Sequence, residues 1–589
     1  MYEVARLSNE KIRREAETWC QADPDPETRQ EIESLLAMNA YPELLDRFSG
    51  RLEFGTAGLR GLIGAGPNRM NRAVVRATTA GMARYLKSVA PQSLDRGVVV
   101  GRDARRMSRE FAEDAAGVFV AEGIPVWFFE QPVPTPLLAF ATLHLGASAG
   151  VMVTASHNPA AYNGYKVYWA NGAQIVPPHD HQISNEISQA AKGAQPSLLP
   201  STIARQVGRW SLVADEVGEA YLKGCLAQRR HPEVPNRLRI VYTPMHGVGG
   251  PWVGQLMERA GVADFRVVPE QQQPDPTFPR LPFPNPEEPG ALDLSLELAH
   301  KVGADLIFAN DPDADRLAVA ARDSHGKLRV LTGDEVGTLL GHYLLTQSRF
   351  SRRPLVVSTI VSSGQLGEIA RAVGALYERT LTGFKWIANR ALELEGSGEV
   401  QFVFGYEEAL GYCIGTHVRD KDGMGAALAV ADMAGWCASQ GQTLIQYLEQ
   451  LQCDYGLYVS RQKSFTFPGA EGAKVIEQIM EGFRRRSPDQ VAGVQIEGIQ
   501  DYQHPPPQSG PHSSRLLPTA NVLAYSLAQG GRITLRPSGT EPKIKYYFEL
   551  RECVTKQETV EEARERAIQK LNRIEEAFIE AARQRGQPR

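Results

Sequence analysis

The chain has 589 residues. That exceeds what one hydrophobic core organises and, at about 150 residues per domain, predicts roughly four domains. A net charge of −4 excludes the global basicity of a nucleic-acid binder, so any anion site must be local. Six cysteines without a CxxC pair predict buried thiols in a reducing, cytoplasmic setting rather than a disulfide or zinc framework.

The start, Met1 to Trp19, is charged throughout and lacks the apolar core of a signal peptide. The longest apolar stretches are interrupted at His144 or Asp432, so no membrane span is expected. Asp25-Pro26-Glu27 reads as a helix start, and the helix it opens carries Ile32, Leu35 and Leu36 on one face. The runs Gly97–Gly101 and Val126–Phe129 then read as strands around a helix over Ser108–Glu122. A second unit opens with Leu238–Tyr242 and continues through a helix from Trp252, a strand near Phe265 and a helix ending at Val302. A third opens at Thr332-Gly333-Asp334, where Asp334 is expected to cap the next helix. The tail holds the strands Arg532–Leu535 and Ile544–Leu550. A long helix over Gln557–Arg583 comes after them, with Ala563, Ala567, Leu571, Ile574 and Phe578 along one face.

This alternation predicts three similar doubly wound α/β domains plus a smaller α+β C-terminal domain around one central cleft. The expected bounds are 1–230, 231–328, 329–460 and 461–589, with a Pro/Ser-rich mobile loop over 503–518 and a hinge near 455–470.

Three loops, each just beyond a Gly-bounded apolar run, carry chemistry. Thr154-Ala155-Ser156-His157-Asn158-Pro159 offers a hydroxyl beside an imidazole, although a capping turn would read the same way. Asp311-Pro312-Asp313-Ala314-Asp315-Arg316 spaces three carboxylates that can converge on one hard cation or form a solvated acidic turn. An EF-hand is excluded because Arg316 and Arg322 stand where its Gly and Glu belong, and Mg²⁺ suits so few carboxylates better. The third loop is Gly405-Tyr406-Glu407-Glu408-Ala409-Leu410-Gly411. Farther on, Arg536-Pro537-Ser538-Gly539-Thr540, with Lys543 and Lys545, could cradle phosphate or be an ordinary hairpin turn. Neither G-x-S-x-G nor a P-loop is present, and Trp252 replaces the third glycine of a Rossmann fingerprint.

In combination these motifs resemble the α-D-phosphohexomutase superfamily, specifically the branch of phosphoglucomutases and phosphopentomutases of the longer type. The resemblance spans nearly the whole chain. It includes Phe54–Gly61, Thr154–Pro159, Asn163-Gly164-Tyr165-Lys166, Phe283–Glu287, Thr382-Gly383-Phe384-Lys385-Trp386 and Arg536–Lys545. It implies that Ser156 is a phosphoserine, that Asp311, Asp313 and Asp315 bind Mg²⁺ with it, and that glucose 1,6-bisphosphate is activator and intermediate. Lys166 becomes the implied general acid/base, its pKa expected to fall toward neutrality in a cationic cleft.

His157, Arg60, Arg316 and Lys421 match other active-site positions, and Arg536, Ser538, Gly539, Thr540 and Lys545 match a phosphate cradle. Glu407, Thr382 and Gly383 match sugar-recognition positions, whereas Ala409 lacks the hydroxyl of the hexose-type loop. The implied partners are small sugar phosphates, with no nucleic acid and no membrane. The implied activity is phosphoglucomutase, with phosphopentomutase and phosphomannomutase as alternatives. A glucose 1,6-bisphosphate synthase or a non-catalytic sugar-phosphate binder remains open.

Overall fold

The computed structural model describes residues 2–53, 58–193, 195–467, 469–505, 517–538 and 543–586. Most of the loop expected over 503–518, together with Phe54–Ala57, Gly539 and Thr540, lies outside them. No helix among the described residues is long and apolar enough to cross a membrane. The chain forms two compact units. One comprises Met1–Arg322, Gly326–Leu331 and Ala409–Ser439; the other comprises Asp323–His325, Thr332–Glu408 and Gln440–Arg589.

In the first unit, strands Val98–Arg102 and Ala149–Val153 are buried along their whole length, as parallel strands covered by helices on both faces must be. They centre a six-stranded sheet ordered Leu59–Leu62, Tyr162–Trp169, Ala149–Val153, Val98–Arg102, Val126–Phe128, Trp210–Leu212. The last four run parallel, and the first two join by antiparallel pairings. A five-stranded sheet comes next, ordered Leu328–Val330, Ala318–Arg322, Leu306–Ala309, Arg239–Thr243, Asp264–Val267, of which the last three run parallel.

In the second unit, Leu376–Thr380, Arg353–Thr359 and Val400–Glu407 make a third parallel set in that spatial order. All three domains share one winding. The first strand pairs with the second on one side and with the third on the other, so the loops after the first and third strands meet at a switch point. The serine loop follows Ala149–Val153 and the Asp loop follows Leu306–Ala309, while Glu407 ends Val400–Glu407. The three expected similar domains are present, and their chemistry-bearing loops occupy equivalent places.

The fourth domain is a six-stranded antiparallel sheet packed against helices Gly469–Arg485 and Val560–Arg585. Ala563, Ala567, Leu571, Ile574 and Phe578 are buried as the periodicity predicts, with Phe578 stacked 4.7 Å from Phe483. Its first strand, Leu457–Thr466, pairs with Lys543–Glu552 along all ten residues. Gly456, immediately before this strand, has a φ of 92°, a conformation that favours glycine. Residues 409–439 also depart from a self-contained 329–460 domain. Asp420 accepts hydrogen bonds from Tyr168 and Gln174, and Asp432 pairs with Arg229, which anchors this stretch in the first unit.

The cap expected at Asp334 belongs instead to Thr332. Its hydroxyl accepts from Glu335 N while Glu335 accepts from Thr332 N, and this capping box leaves Asp334 one turn position inside the helix. Asp334 accepts from Ser363 N (2.6 Å), Tyr406 Oη (3.1 Å) and Ser460 Oγ (2.8 Å), joining the third domain to the fourth. Burial, followed by the nearby Glu549 carboxylate, pushes Asp334 up to about 7.

An unfolded aspartate titrates near pH 4, so between about 4 and 7 the folded state binds the extra proton. Its stabilisation is therefore full below pH 4 and lost as pH rises through 7. Asp334→Asn, which keeps the neutral shape, should stabilise the protein at pH 8 by about 1–3 kcal/mol and leave pH 4 nearly unchanged. Denaturant unfolding of both proteins across this range would test it; equal pH slopes would refute the assignment.

Candidate active site

Ser156 stands in the left-handed region at φ 53°, a conformation that costs a non-glycine residue about 1 kcal/mol or more. Its neighbours hold it there. Ser156 N donates to Thr154 Oγ1 (2.9 Å), which donates in turn to Asp103 Oδ2 (2.6 Å). The result is a buried hydroxyl that donates to Asp311 Oδ2 at 2.8 Å.

Asp311, Asp313 and Asp315 are fully buried, each presenting a carboxylate oxygen, with all three oxygens within 4.8 Å of one another. Burial raises every member of such a cluster, and what each carboxylate touches then separates them. Asp311, flanked by the other two, goes well above the usual carboxylate range. For Asp313 and Asp315, burial is outweighed by the Lys166 ammonium at 2.7 and 2.9 Å, and both end below it. Asp313 also accepts from Thr135 Oγ1 (2.6 Å). Even so, Asp313 Oδ1 and Asp315 Oδ1 are buried without a hydrogen-bond partner. Two orphaned oxygens within so close a group of carboxylates fit a hard divalent cation, so the triad is a group able to hold a metal.

Cationic side chains lie around this triad and the serine loop. Lys421 Nζ lies 3.2 Å from Asp315 Oδ2, and Arg60 Nη1 donates to Asn158 Oδ1 at 2.9 Å. Arg316 N donates to Asp311 Oδ1 (3.0 Å), and the Arg316 guanidinium pairs with Glu287. Gly411 makes room for Lys421, because a Cβ there would sit 2.2 Å from its Cδ. His157 Nδ1 is 3.2 Å from Ser156 Oγ; burial, then the charges of Arg316 and Arg60, hold its imidazole well below its ordinary pKa and therefore neutral.

Lys166 departs from expectation. Its surroundings are anionic, not cationic: burial would lower the ammonium, but Asp313, Asp315 and Asp420 outweigh it and raise its pKa above that of a free lysine. It stays charged for as long as it sits on both aspartates.

In the second unit, Glu407 Oε1 accepts from Gly383 N (2.7 Å). Gly383 has φ 117° and opens the helix Phe384–Glu395, which places it and Thr382 beside the carboxylate. Glu408 is tied back by Thr359 and Ser362 hydroxyls at 3.1 and 2.9 Å. Arg536 and Lys545 face each other directly across the hairpin Gly531–Pro537/Lys543–Glu552, and Ser538 N closes it on Lys543 O (2.7 Å). Like charges placed opposite each other destabilise a sheet unless an anion lies against them. Arg536 also hydrogen-bonds the buried Tyr547 hydroxyl, near Glu407 and Glu408. Gly539 and Thr540 lie outside the described residues, and Ala409 falls in the turn after Glu407.

Local sequence does not single out the loops after the first strands Val98–Arg102 and Arg239–Thr243, nor the start of the helix Thr135–His144. Asp103 and Arg105 brace the serine loop, while Thr135 reaches Asp313 from the first domain. Gly247-Val248, which fails as a nucleotide motif, packs on the Asp loop through Val248 N to Pro312 O (2.9 Å). The one local hint is Asp103, a turn-forming residue directly after the buried strand Val98–Arg102.

A hydroxyl aimed into a carboxylate triad, on a winding repeated three times, is equipment for phosphoryl transfer rather than acyl transfer. Sequence models described as phosphoglucomutase/phosphomannomutase α/β/α domains I, II and III match residues 51–194, 219–326 and 332–455, and that family's C-terminal domain matches 489–566. The chain is 37% identical to phosphopentomutase of Homo sapiens, over 100% of this chain and 98% of that protein. It is 36% identical to glucose 1,6-bisphosphate synthase of Homo sapiens, over 90% and 89% respectively. The crystal structure of the Paramecium phosphoglucomutase pp63/parafusin shares the fold, with a TM-score of 0.64 at 19% identity, over 90% of this chain and 96% of that one. The chain belongs to the phosphoglucomutase/phosphomannomutase family of the α-D-phosphohexomutase superfamily. It is an enzyme of the isomerase class, an intramolecular phosphotransferase.

Proposed function

We propose that this enzyme moves phosphate between the anomeric and terminal hydroxyls of a sugar through a phosphoserine at Ser156, with ribose and deoxyribose 1-phosphates as preferred substrates. The observation that carries the mutase reading is Ser156 Oγ, bonded to Asp311 and within reach of neutral His157, beside two partnerless carboxylate oxygens. Asp311, Asp313 and Asp315, with the seryl oxygen, would hold Mg²⁺, which when bound neutralises charge on the phosphoryl group.

The chain's residues do the rest. Arg536, Ser538, Gly539, Thr540 and Lys545 bind the phosphate already on the sugar and leave its other hydroxyl free to react. That hydroxyl attacks phosphorus, the Ser156 oxygen leaves, and a sugar bisphosphate results. The bisphosphate reorients, its other phosphate returns to Ser156, and the isomeric monophosphate departs. His157 is placed to carry the seryl proton. Arg60, Arg316 and Lys421 balance the phosphoryl charge, and Lys166 serves as acid/base only once its carboxylates are engaged elsewhere.

Glu407, oriented by Gly383 beside Thr382, can accept sugar hydroxyls as well, since a carboxylate takes up to about four hydrogen bonds. Support for a pentose comes from Ala409, which has no hydroxyl to reach a hexose, and from the end-to-end likeness to a phosphopentomutase. Glucose 1-phosphate is the second reading, favoured by the retained Glu407-Glu408 pair, and glucose 1,6-bisphosphate would then be activator and intermediate; mannose phosphate would be a side activity.

A panel of ribose, deoxyribose, glucose and mannose 1-phosphates, assayed with Mg²⁺ and trace glucose 1,6-bisphosphate, tests this by kcat/KM. Pentose preference of about tenfold or more is expected, which corresponds to roughly 1.4 kcal/mol. Glucose dominance would overturn the pentose assignment. Silence on all four, with bisphosphate made from glucose 1-phosphate and an acyl-phosphate donor, would point to a synthase; silence there too would leave a sugar-phosphate binder.

A further inference from the structure

Arg105 lies at the switch point of the first domain, and its side chain is 1% exposed. Its guanidinium is spent on the serine loop. Nη2 donates to Ser156 O (2.5 Å) and Asn158 O (2.6 Å), while Nη1 donates to Pro159 O (3.0 Å) and Tyr162 O (3.3 Å). Nε faces Asp103 Oδ2 at 3.3 Å, and Asp103 is the carboxylate that also takes the Thr154 hydroxyl. On its other side the guanidinium lies 4.8 Å from the Phe278 ring centroid, a residue of the second domain. One planar fork therefore collects three carbonyls of a turn whose serine occupies left-handed backbone and a fourth from the strand after it, and stacks that turn on the domain that bears the Asp triad. Only the fixed geometry of arginine supplies this set of donors; a lysine ammonium has three, converging on one point.

We infer that Arg105 is a positioning residue for phosphoryl transfer, holding Ser156 Oγ in line with the Asp loop without touching the sugar. This rests on the reading of Ser156 as the phosphorylated residue. A serine displaced by about 1 Å loses roughly 10²-fold in rate, whereas sugar binding, made by other residues, is left alone.

The test is Arg105→Lys with Phe278→Leu as its companion, each checked for folding by thermal unfolding. For each, kcat and KM are measured on the best sugar 1-phosphate, along with the rate at which glucose 1,6-bisphosphate phosphorylates Ser156. Arg105→Lys should lower kcat and the phosphorylation rate by about 10²-fold with KM within about threefold of wild type. Phe278→Leu, which removes the stacking face while keeping an apolar side chain in the buried cluster with Met245 and Leu281, should lower both rates by about threefold. A folded Arg105→Lys with wild-type kcat, or with only KM raised, would overturn the inference. If that variant does not fold, Phe278→Leu decides, and an unchanged kcat refutes the role. Wild-type protein that takes no phosphate on Ser156 would sink the mutase reading and this role together. A phosphorylated wild type with an unaffected variant sinks this role alone.

Discussion

Ser156→Ala should abolish mutase turnover, by about 10⁴-fold or more, while the protein stays folded. The loss is large because, among the described residues, this hydroxyl is the one bonded to Asp311 Oδ2, and alanine offers no nucleophile in its place. The fold should survive because alanine carries a Cβ like serine and adopts φ 53° at similar cost. The bond lost at Asp311 reaches a carboxylate whose pKa is already raised, so the buried acid can remain neutral. Thermal midpoints within a few degrees of wild type, alongside the kinetic loss, are the expected pair of results. Appreciable turnover in the variant would remove Ser156 from the chemistry.

Asp313→Asn should be nearly as severe. Its Oδ1 is one of the two orphaned triad oxygens, and its Oδ2 shares the Lys166 ammonium with Asp315. The amide removes one negative charge from a site suited to a divalent cation, while Thr135 and Lys166 keep the loop in place. Losing several kcal/mol of charge stabilisation corresponds to about 10³-fold in turnover. Calorimetry should also show Mg²⁺ affinity falling by at least about tenfold. Wild-type Mg²⁺ affinity in this variant would mean that the triad is not the metal site.

What is legible in the sequence is local. The Ser156 and Asp311–Asp315 loops announce themselves within six residues, and the buried strands before them are plain from composition alone. The Val560–Arg585 face follows from a helical period that nothing contradicts. The failures are contacts made at a distance. Arg105 looks like any surface arginine until four carbonyls 51–57 residues away gather around it. Lys166 reads as cationic in its setting because the aspartates that surround it lie 147 and 149 residues farther along. Asp334 loses the cap to Thr332, a competition between two good capping residues that local spacing alone does not decide. The anchoring of Ala409–Ser439 in the first unit depends on Asp420 and Asp432 meeting partners about 200 to 250 residues earlier, beyond any periodicity argument.

The most direct measurement is the phosphorylation state of the peptide containing Ser156, tracked by mass spectrometry as the enzyme is loaded with glucose 1,6-bisphosphate and then given sugar monophosphate. A single phosphate on Ser156 that appears on loading, and leaves at a rate matching turnover, is the predicted result. Continued turnover with no phosphate ever present on that peptide would contradict the account.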